Sequence, residues 1–194
     1  STIKVSTISP LGTDATKTIT LGESGGVITR ASGANANFAG VKVAGMWRIN
    51  TGTNLVADTE TTVTAGWEEV DSDGYGTIGS AMSESSGIWT FPETGIYQIL
   101  WNVQYKDPQA AGNRCTTIIS VTTDNSSYST ATDNSGNFND TSSRASILAS
   151  HVFDVTNTTT HKCKLNALCT GTVTLHSATS QSRTWVQFIR LGDT

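Results

Sequence analysis

Three residues with metal-binding side chains lie close together in the C-terminal third of the sequence. His161 and Cys163 flank Lys162, and Cys169 follows a short distance on. Imidazole and thiolate groups are ligands that zinc prefers in proteins. A closed zinc site needs a fourth ligand, however, and the sequence has no Cys-x-x-Cys pair to supply one. Small buried cysteines are also ordinary core residues, so we predict no metal here.

Two oxygen-rich segments have side chains that suit calcium. Asp71-Ser72-Asp73-Gly74 begins like a calcium loop, but the distal bidentate glutamate of the full loop is missing. The segment from Asp133 to Asp140 has the oxygen ligands to hold a cation at a loop apex. Asp, Asn and Gly clusters are also typical of solvated turns. The sequence favours turns at both places and leaves open whether a loop binds calcium.

The histidines do not form a catalytic motif. His151, His161 and His176 are far apart in sequence and lack flanking patterns such as Gly-x-Ser-x-Gly. Adjacent Glu68 and Glu69 point to opposite faces if they lie on a strand, so they do not form a carboxylate pair. Acid–base catalysis needs convergent groups. We therefore predict that the chain is not an enzyme and has no catalytic residue and no cofactor.

The elements that position these side chains are predicted to be strands. Apolar residues recur at period two from Tyr97 to Tyr105 with polar residues between them, which predicts a half-buried strand. Just upstream, Phe91-Pro92 and Gly95 interrupt the ladder, so one strand ends there and another begins. The abundance of Thr, Ser, Asn and Gly, with 3 Pro and 14% charged residues, favours short strands over helices. We predict strands at Val41 to Ile49, Thr61 to Val70, Ile88 to Phe91, Ile96 to Lys106, Thr116 to Thr122, Ser143 to Asp154, Lys162 to Ala167, Thr172 to His176 and Thr184 to Leu191.

One segment of this pattern resembles a known family. The run Gly87-x-Trp89-x-Phe91-Pro92-x-x-Gly95-x-Tyr97 resembles the signature of the complement globular-head and tumour-necrosis-factor-like jelly-roll families. The segments Trp67 to Val70, Val152 to Val155 and Thr184 to Gly192 resemble further landmarks of these families, in the same order. The resemblance covers roughly Val41 to Gly192 and implies an all-β, two-sheet antiparallel jelly-roll sandwich. Because jelly rolls host many functions, it specifies fold more strongly than role.

The last predicted strand is apolar on both faces. Trp185 and Ile189 alternate with Val186 and Phe188, so a regular strand points them in opposite directions. Burial of both faces requires a second partner beyond the sandwich core. The resemblance to threefold tumour-necrosis-factor-like assemblies implies a homotrimer. Four residues are predicted at the core or the trimer interface, namely Tyr97, Trp101, Trp185 and Phe188.

The first part of the chain differs from the rest. Residues 1–45 contain short apolar islands between Gly-, Thr- and Asn-rich spacers and cannot bury a core alone. Thr2-Ile3-Lys4-Val5-Ser6-Thr7-Ile8 and Thr18-Ile19-Thr20-Leu21-Gly22 resemble short repeats at the start of many bacteriophage fibre and virion proteins. We interpret 1–45 as an anchor segment and 46–194 as a jelly-roll knob. The predicted anchor residues are Ile3, Val5, Ile8, Ile19 and Leu21.

A polar stretch between Thr123 and Ser142 is predicted to be an exposed loop region, with two bulky apolar residues in it. Exposed aromatics on polar loops can stack on sugars or bind proteins, or they can pin the loop to the sandwich. Both interpretations stay open at this point. The candidate receptor-binding residues are Tyr128, Asp133, Asn137 and Phe138.

Composition excludes several partners. The net charge of −4 and the scattered Lys and Arg argue against a nucleic-acid surface. No apolar run approaches the ~18 residues that span a bilayer, and the first residues lack the zones of a secretory signal. We therefore expect no membrane insertion. The three cysteines cannot all pair within one chain, so reduced, buried thiols made in a cytosol are predicted.

Together these patterns predict a bacteriophage virion structural protein, made in the host cytoplasm and carried on the particle surface. The anchor would bind a capsid or fibre protein, and the knob would form a trimer. The short anchor favours a capsid decoration protein over the alternative, a tail or head fibre knob that binds a host receptor or glycan. A secreted complement-like or cytokine-like recognition module is a third hypothesis. The sequence identifies neither the host nor the receptor.

Overall fold

The computed structural model describes residues 40–72, 74–106 and 111–194. Within these ranges the chain is built from strands, and it contains no helix long and apolar enough to cross a membrane. The predicted anchor residues Ile3, Val5, Ile8, Ile19 and Leu21 lie outside the described residues. The predicted division between 1–45 and 46–194 stays a prediction.

Thirteen strands in the described ranges form two antiparallel sheets. Sheet I contains β1 (Ala44–Ile49), β2 (Thr53–Leu55), β4 (Trp67–Glu69), β7 (Gly95–Lys106), β10 (Ala145–Val155), β12 (Val173–Leu175) and β13 (Trp185–Gly192). Sheet II contains β3 (Thr61–Thr62), β5 (Ser83–Ser85), β6 (Ile88–Thr90), β8 (Arg114–Thr122), β9 (Ser129–Asn137) and β11 (Lys162–Cys169). This is the two-sheet antiparallel jelly-roll sandwich that the sequence predicts.

The long strand β7 is the centre of sheet I. It pairs with β10 along its whole length on one side and with β13 on the other. Strand β13 in turn pairs with β1, and β1 pairs with β4. In sheet II, β11 pairs with β8, and β8 pairs with β9 at the edge. Each strand of the pair β7–β13 therefore contributes one face to the core and one to the outside, whereas β8 and β11 are buried along most of their length.

The core between the sheets is rich in aromatic rings. The buried Trp89 ring lies 4.9 Å from Trp67 and 5.1 Å from Phe188, centroid to centroid. On β7, Trp101 is also fully buried, and its Nε1 donates a 3.1 Å hydrogen bond across the sandwich to the Asn166 carbonyl of β11. Large aromatic groups of this kind contribute about 1.5–3 kcal/mol each by burial. Tyr97, Trp101 and Phe188 are thus core residues.

Chain direction gives the sandwich two distinct ends. Strand β1 begins and β13 ends at the same place, where the Arg190 amide donates to the Val43 carbonyl over 2.8 Å. We call this the terminal end, because the described chain both enters at Gly40 and leaves beyond Gly192 there. The distal end is the opposite one, where β7 ends at Lys106 and β11 ends at Cys169.

The polar stretch from Thr123 to Ser142 is not a single exposed loop, so that prediction is wrong for its central part. Residues Ser129–Asn137 form β9, which hydrogen-bonds to β8 along the edge of sheet II. An edge strand can be held by the backbone ladder of its neighbour, and its outward side chains can stay in water. A polar sequence without an apolar period therefore forms a strand here.

The cysteine prediction is also wrong for two of the three residues. Cys115 on β8 and Cys169 on β11 form a disulfide with their Cα atoms 4.1 Å apart. They occupy directly opposed positions in the β8–β11 register, which their 54-residue separation in sequence conceals. Cys163 is the free cysteine and is buried.

Candidate functional site

The candidate interaction surface is the outer face of sheet I, to which the last strand, β13, contributes side chains. On β13, Val186 and Phe188 are fully buried in the core, while Trp185 and Ile189 lie on the opposite face and are partly exposed. The predicted two-faced character of this strand is therefore confirmed. Trp185 therefore lies outside the core, whereas Tyr97, Trp101 and Phe188, which were predicted with it at the core or the trimer interface, lie inside it.

Neighbouring strands extend this surface with further apolar side chains. In register, Ile189 lies opposite Gln98 of β7, and Gln98 lies opposite Val152 of the edge strand β10. Leu148, 43% exposed, and Val152, 54% exposed, are among the most exposed large apolar residues in the described ranges. We call this surface the apolar face and define it by seven residues, namely Met46, Ile96, Leu100, Leu148, Val152, Trp185 and Ile189.

Amide side chains separate the apolar groups on this face. Asn102 lies between Trp185 and Leu148 in register, and Gln187 lies beside Leu100. An apolar centre interleaved with uncharged polar groups is typical of protein–protein interfaces, whose cores are depleted of Lys, Glu and Asp. The inner face of sheet I is covered by sheet II, so the apolar face lies outside the core.

A charged cluster borders the apolar face beside Trp185. Arg48 is the register partner of Trp185 and is only 1% exposed. Its Nε donates to Glu68 over 2.9 Å, its Nη2 to Asp71 over 2.7 Å, and its Nη1 to the Ser72 hydroxyl over 2.8 Å. The hydrogen bond to Glu68, with smaller contributions from Asp71, raises the pKa of Arg48.

The Arg48 cluster includes two residues of the first candidate calcium loop, Asp71 and Ser72. The Arg48 guanidinium binds the Ser72 hydroxyl and one carboxylate oxygen of Asp71, so these two atoms of the candidate calcium loop already have a cationic partner. Asp73 lies outside the described residues. Arg48 was not among the predicted functional residues, although an arginine inside an otherwise apolar strand, Ala44–Ile49, was a readable signal.

A second buried arginine holds the terminal end together. Arg190 on β13 donates through Nε to the Thr94 carbonyl over 2.8 Å and forms ion pairs with Glu93 at 3.1 Å and Asp193 at 2.5 Å. The corner that contains Pro92 and Gly95 is thereby tied to the last strand. Gly95 has a φ of 150° and no room for a side chain, because a Cβ there would lie 2.6 Å from the Gly192 carbonyl oxygen. The glycine of the family signature is therefore required by this packing.

The Tyr97 hydroxyl makes stability sensitive to alkaline pH. It donates a 3.0 Å hydrogen bond to the Glu93 carbonyl, and burial raises its pKa to about 12. Since the unfolded pKa is about 10, the folded state keeps a proton that the unfolded chain loses between these values. Stability should be unaffected by this group below pH 10 and should fall as the pH rises towards 12.

Urea unfolding midpoints at pH 8.5, 10 and 11 would test this expectation. These midpoints should be measured in a Cys163→Ala variant. Burial also raises the pKa of the Cys163 thiol, so this group would add its own loss of stability at alkaline pH. Tyr97→Phe in the same background should show a smaller alkaline loss. Equal midpoints at pH 10 and pH 11 in the protein with unchanged Tyr97 would contradict the expectation, because they would mean that Tyr97 has the same pKa in the folded and the unfolded chain.

The four candidate receptor-binding residues do not form one loop. Tyr128 lies at the terminal end just before β9, beneath the Lys164 Nζ at 4.0 Å from its ring centroid. Asp133 and Asn137 are exposed on β9 itself. Phe138 is 1% exposed and packs 6.4 Å from the Tyr105 ring, so it is a core residue and not a receptor contact.

The second calcium candidate is also spread out. Asp133 lies within β9, whereas Asp140 follows its distal end. The five residues from Asp133 to Asn137 alone span about 13 Å of extended chain. Hydrogen bonds from Ser143 and Ser142 lower the pKa of Asp140, as expected of a capped polar turn. The two carboxylates therefore do not meet at a loop apex.

The histidines are held by other contacts. His161 hydrogen-bonds through its two ring nitrogens to the hydroxyls of Thr156 and Thr160. The His161 ring stacks on the Phe153 ring with 5.7 Å between the centroids, and the His151 ring lies 6.2 Å from the Phe153 centroid. The disulfide engages Cys169, which removes that thiolate from the zinc hypothesis. In the part of the chain that the structure describes, no three His, Cys, Asp or Glu side chains are grouped to hold a metal.

Comparisons with known proteins agree with this architecture. No family model and no curated protein matches the chain. Murine APRIL at pH 5.0 superposes with a TM-score of 0.55 at 15% identity, over 77% of this chain and 98% of that one. Eiger TNF from S. frugiperda gives 0.56 at 14% identity, over 78% and 94%. The chain therefore has a tumour-necrosis-factor-like jelly-roll fold.

A further match is the PRD1 vertex protein P5. It aligns at 16% identity over 79% of this chain and 99% of its own, with a TM-score of 0.46. At the identities of APRIL and Eiger, the likeness concerns the fold alone.

Proposed function

We propose that this chain is a trimeric structural protein of a bacteriophage virion, a capsid decoration protein whose N-terminal segment binds the particle and whose knob faces outward. The observation that carries the proposal is the apolar face, which lies on the side of sheet I away from the core. Its role in the particle is mechanical and adhesive, and no catalytic step is assigned to it.

Self-association explains the apolar face better than exposure does. Exposed apolar groups concentrated on one face often mark interaction sites, and Leu148 and Val152 extend this face to the edge strand β10. A stable interface buries about 800 Å² on each partner. The apolar face would form the centre of such an interface, and the amide side chains on it would contribute further buried area. The tumour-necrosis-factor-like fold supports three as the number of copies.

The positions of the chain ends suit an anchored knob. Gly40 lies at the terminal end, so copies related by a threefold axis along the strands would have their Gly40 residues at the same end of the assembly. Three linked weak anchors gain affinity through effective concentration. The predicted islands around Ile3, Val5, Ile8, Ile19 and Leu21 would then add strands or apolar contacts to a capsid or fibre partner.

Deletion of residues 1–40 tests the anchor directly. The truncated knob should keep its oligomeric state but lose binding to particles that lack the protein, because the proposed capsid contacts lie in the deleted segment. Occupancy is measured by co-sedimentation with such particles, and the full-length chain is the control. Undiminished occupancy of the truncated knob would contradict the anchor role.

The alternative is a fibre knob that binds a host receptor or glycan. The distal end, where β7, β9 and β11 end, lies opposite the terminal end and would point outward in either arrangement. Purified knob that blocks phage adsorption to host cells would favour the fibre. Particles that lose stability without the protein but still adsorb would favour decoration.

A further inference from the structure

The disulfide occupies the last register pair of a strand pair that is otherwise held by its own ladder. Cys115 and Cys169 are the distal register pair of β8 and β11, and seven further pairs extend from Leu168 opposite Thr116 to Lys162 opposite Thr122. Both cysteines are fully buried. The ladder and the apolar core therefore define the position of the two sulfur atoms before any bond between them exists.

Hydrogen bonds around this cysteine pair hold three chain segments together at the distal end. The Thr170 amide donates to the Arg114 carbonyl over 2.9 Å, and the Arg114 amide donates to the Thr170 hydroxyl over 3.0 Å. The Asp58 amide donates to the Cys169 carbonyl over 2.8 Å. Opening of the last register pair would release these hydrogen bonds together, so a covalent link there restrains three segments at once.

We propose that the pair Cys115 and Cys169 is a redox-controlled lock on the distal end. The knob folds with both thiols reduced, and the bond closes when the protein meets an oxidant of the low-molecular-weight disulfide class. One cysteine thiolate attacks the small disulfide, forms a mixed disulfide and releases one small thiol. The second cysteine then attacks the mixed disulfide, which releases a second small thiol and leaves the intramolecular bond. Two protein thiols are oxidised and one small disulfide is reduced.

Burial makes this lock slow in both directions. Neither sulfur is accessible in the closed ladder, so oxidant and reductant both require fraying of the strand ends. Only Arg114 lies beyond Cys115 on β8, and β11 ends at Cys169, so a small opening suffices. The timing rests on the proposed function: a protein made in a reducing cytoplasm would close the bond after release of the particle.

Cys163 provides an internal control. It lies on β11 six residues before Cys169, about 20 Å away along an extended strand, and it is the free cysteine. Burial raises the pKa of the Cys163 thiol, which lowers its thiolate fraction and its reactivity. It should remain reduced under conditions that close the lock.

Thermal unfolding of the reduced and oxidised full-length chain tests the lock in vitro. The bond closes a 54-residue segment, so the oxidised form should melt about 10 °C above the reduced form. Both forms should be folded at 25 °C by circular dichroism. Cys115→Ala with Cys169→Ala should melt like the reduced form and ignore reductant, whereas Cys163→Ala should keep the full shift. Equal melting temperatures, or a reduced chain that is unfolded at 25 °C, would overturn the proposal.

Alkylation followed by mass spectrometry tests the timing. Cells would be quenched with iodoacetamide in denaturant before lysis, and released particles would be treated in the same way. Cys115 and Cys169 should be alkylated in the cell sample and protected in the particle sample, with Cys163 alkylated in both. A reduced pair in the particles, or a closed pair already present in the cells, would contradict the lock. The melting experiment needs no particle, so failure of the decoration role would leave its result standing.

Discussion

Replacement of Ile189 by glutamate is expected to convert the proposed trimer into folded monomers of 20.4 kDa. Ile189 lies on the apolar face between Ala44 of β1 and Gln98 of β7, and its side chain points away from the core. Burial of an unpaired carboxylate at an interface costs several kcal/mol, so each contact should weaken about a thousandfold. Light scattering at micromolar concentration measures the mass.

A matched control separates interface loss from a general effect of surface charge. Val56 is 65% exposed and follows β2, outside the apolar face. Val56→Glu should therefore leave the trimer intact. Both variants should keep the melting behaviour of a cooperative β-sandwich. A Ile189→Glu protein that stays trimeric would show that the apolar face is not the contact between copies.

Replacement of Gly95 by alanine should cause a large loss of stability at the terminal end. The added Cβ would meet the Arg190 side chain and lie 2.6 Å from the Gly192 carbonyl oxygen, and a φ of 150° is unfavourable for alanine. Strain in the backbone and displacement of the buried guanidinium from Glu93 and Asp193 should together cost about 3 kcal/mol. Urea unfolding measures this difference in the free energy of unfolding.

Gly76 is the matched control for that substitution. A Cβ at Gly76 would have no atom within 4 Å, so Gly76→Ala should change the free energy of unfolding by no more than about 0.5 kcal/mol. A Gly95→Ala protein as stable as Gly76→Ala would mean that the corner tolerates a side chain. The glycine of the family signature would then need another explanation.

The fold was predictable where one side chain in two enters the core. The alternation from Tyr97 to Tyr105 located β7, and the opposed apolar pairs on β13 indicated a strand with two partners. The Pro92 and Gly95 corner was readable because proline and glycine impose local backbone geometry. Each of these signals is contained within a few neighbouring residues.

The features that the sequence concealed depend on register between distant strands. Cys115 and Cys169 meet only because β8 and β11 pair in one particular alignment. Arg48 finds Glu68 and Asp71 for the same kind of reason, through the pairing of β1 with β4 and the turn after it. Strand β9 was missed because its stability comes from the backbone of β8, and its side chains carry no apolar period.

The solution mass of the full-length chain would show whether copies of the knob associate through the apolar face. Light scattering coupled to size-exclusion chromatography at micromolar concentration should give a stable species of three times 20.4 kDa. That result would agree with an apolar face covered by neighbouring copies. A mass of one times 20.4 kDa at the same concentration would contradict the account, because the outer face of sheet I would then have no partner.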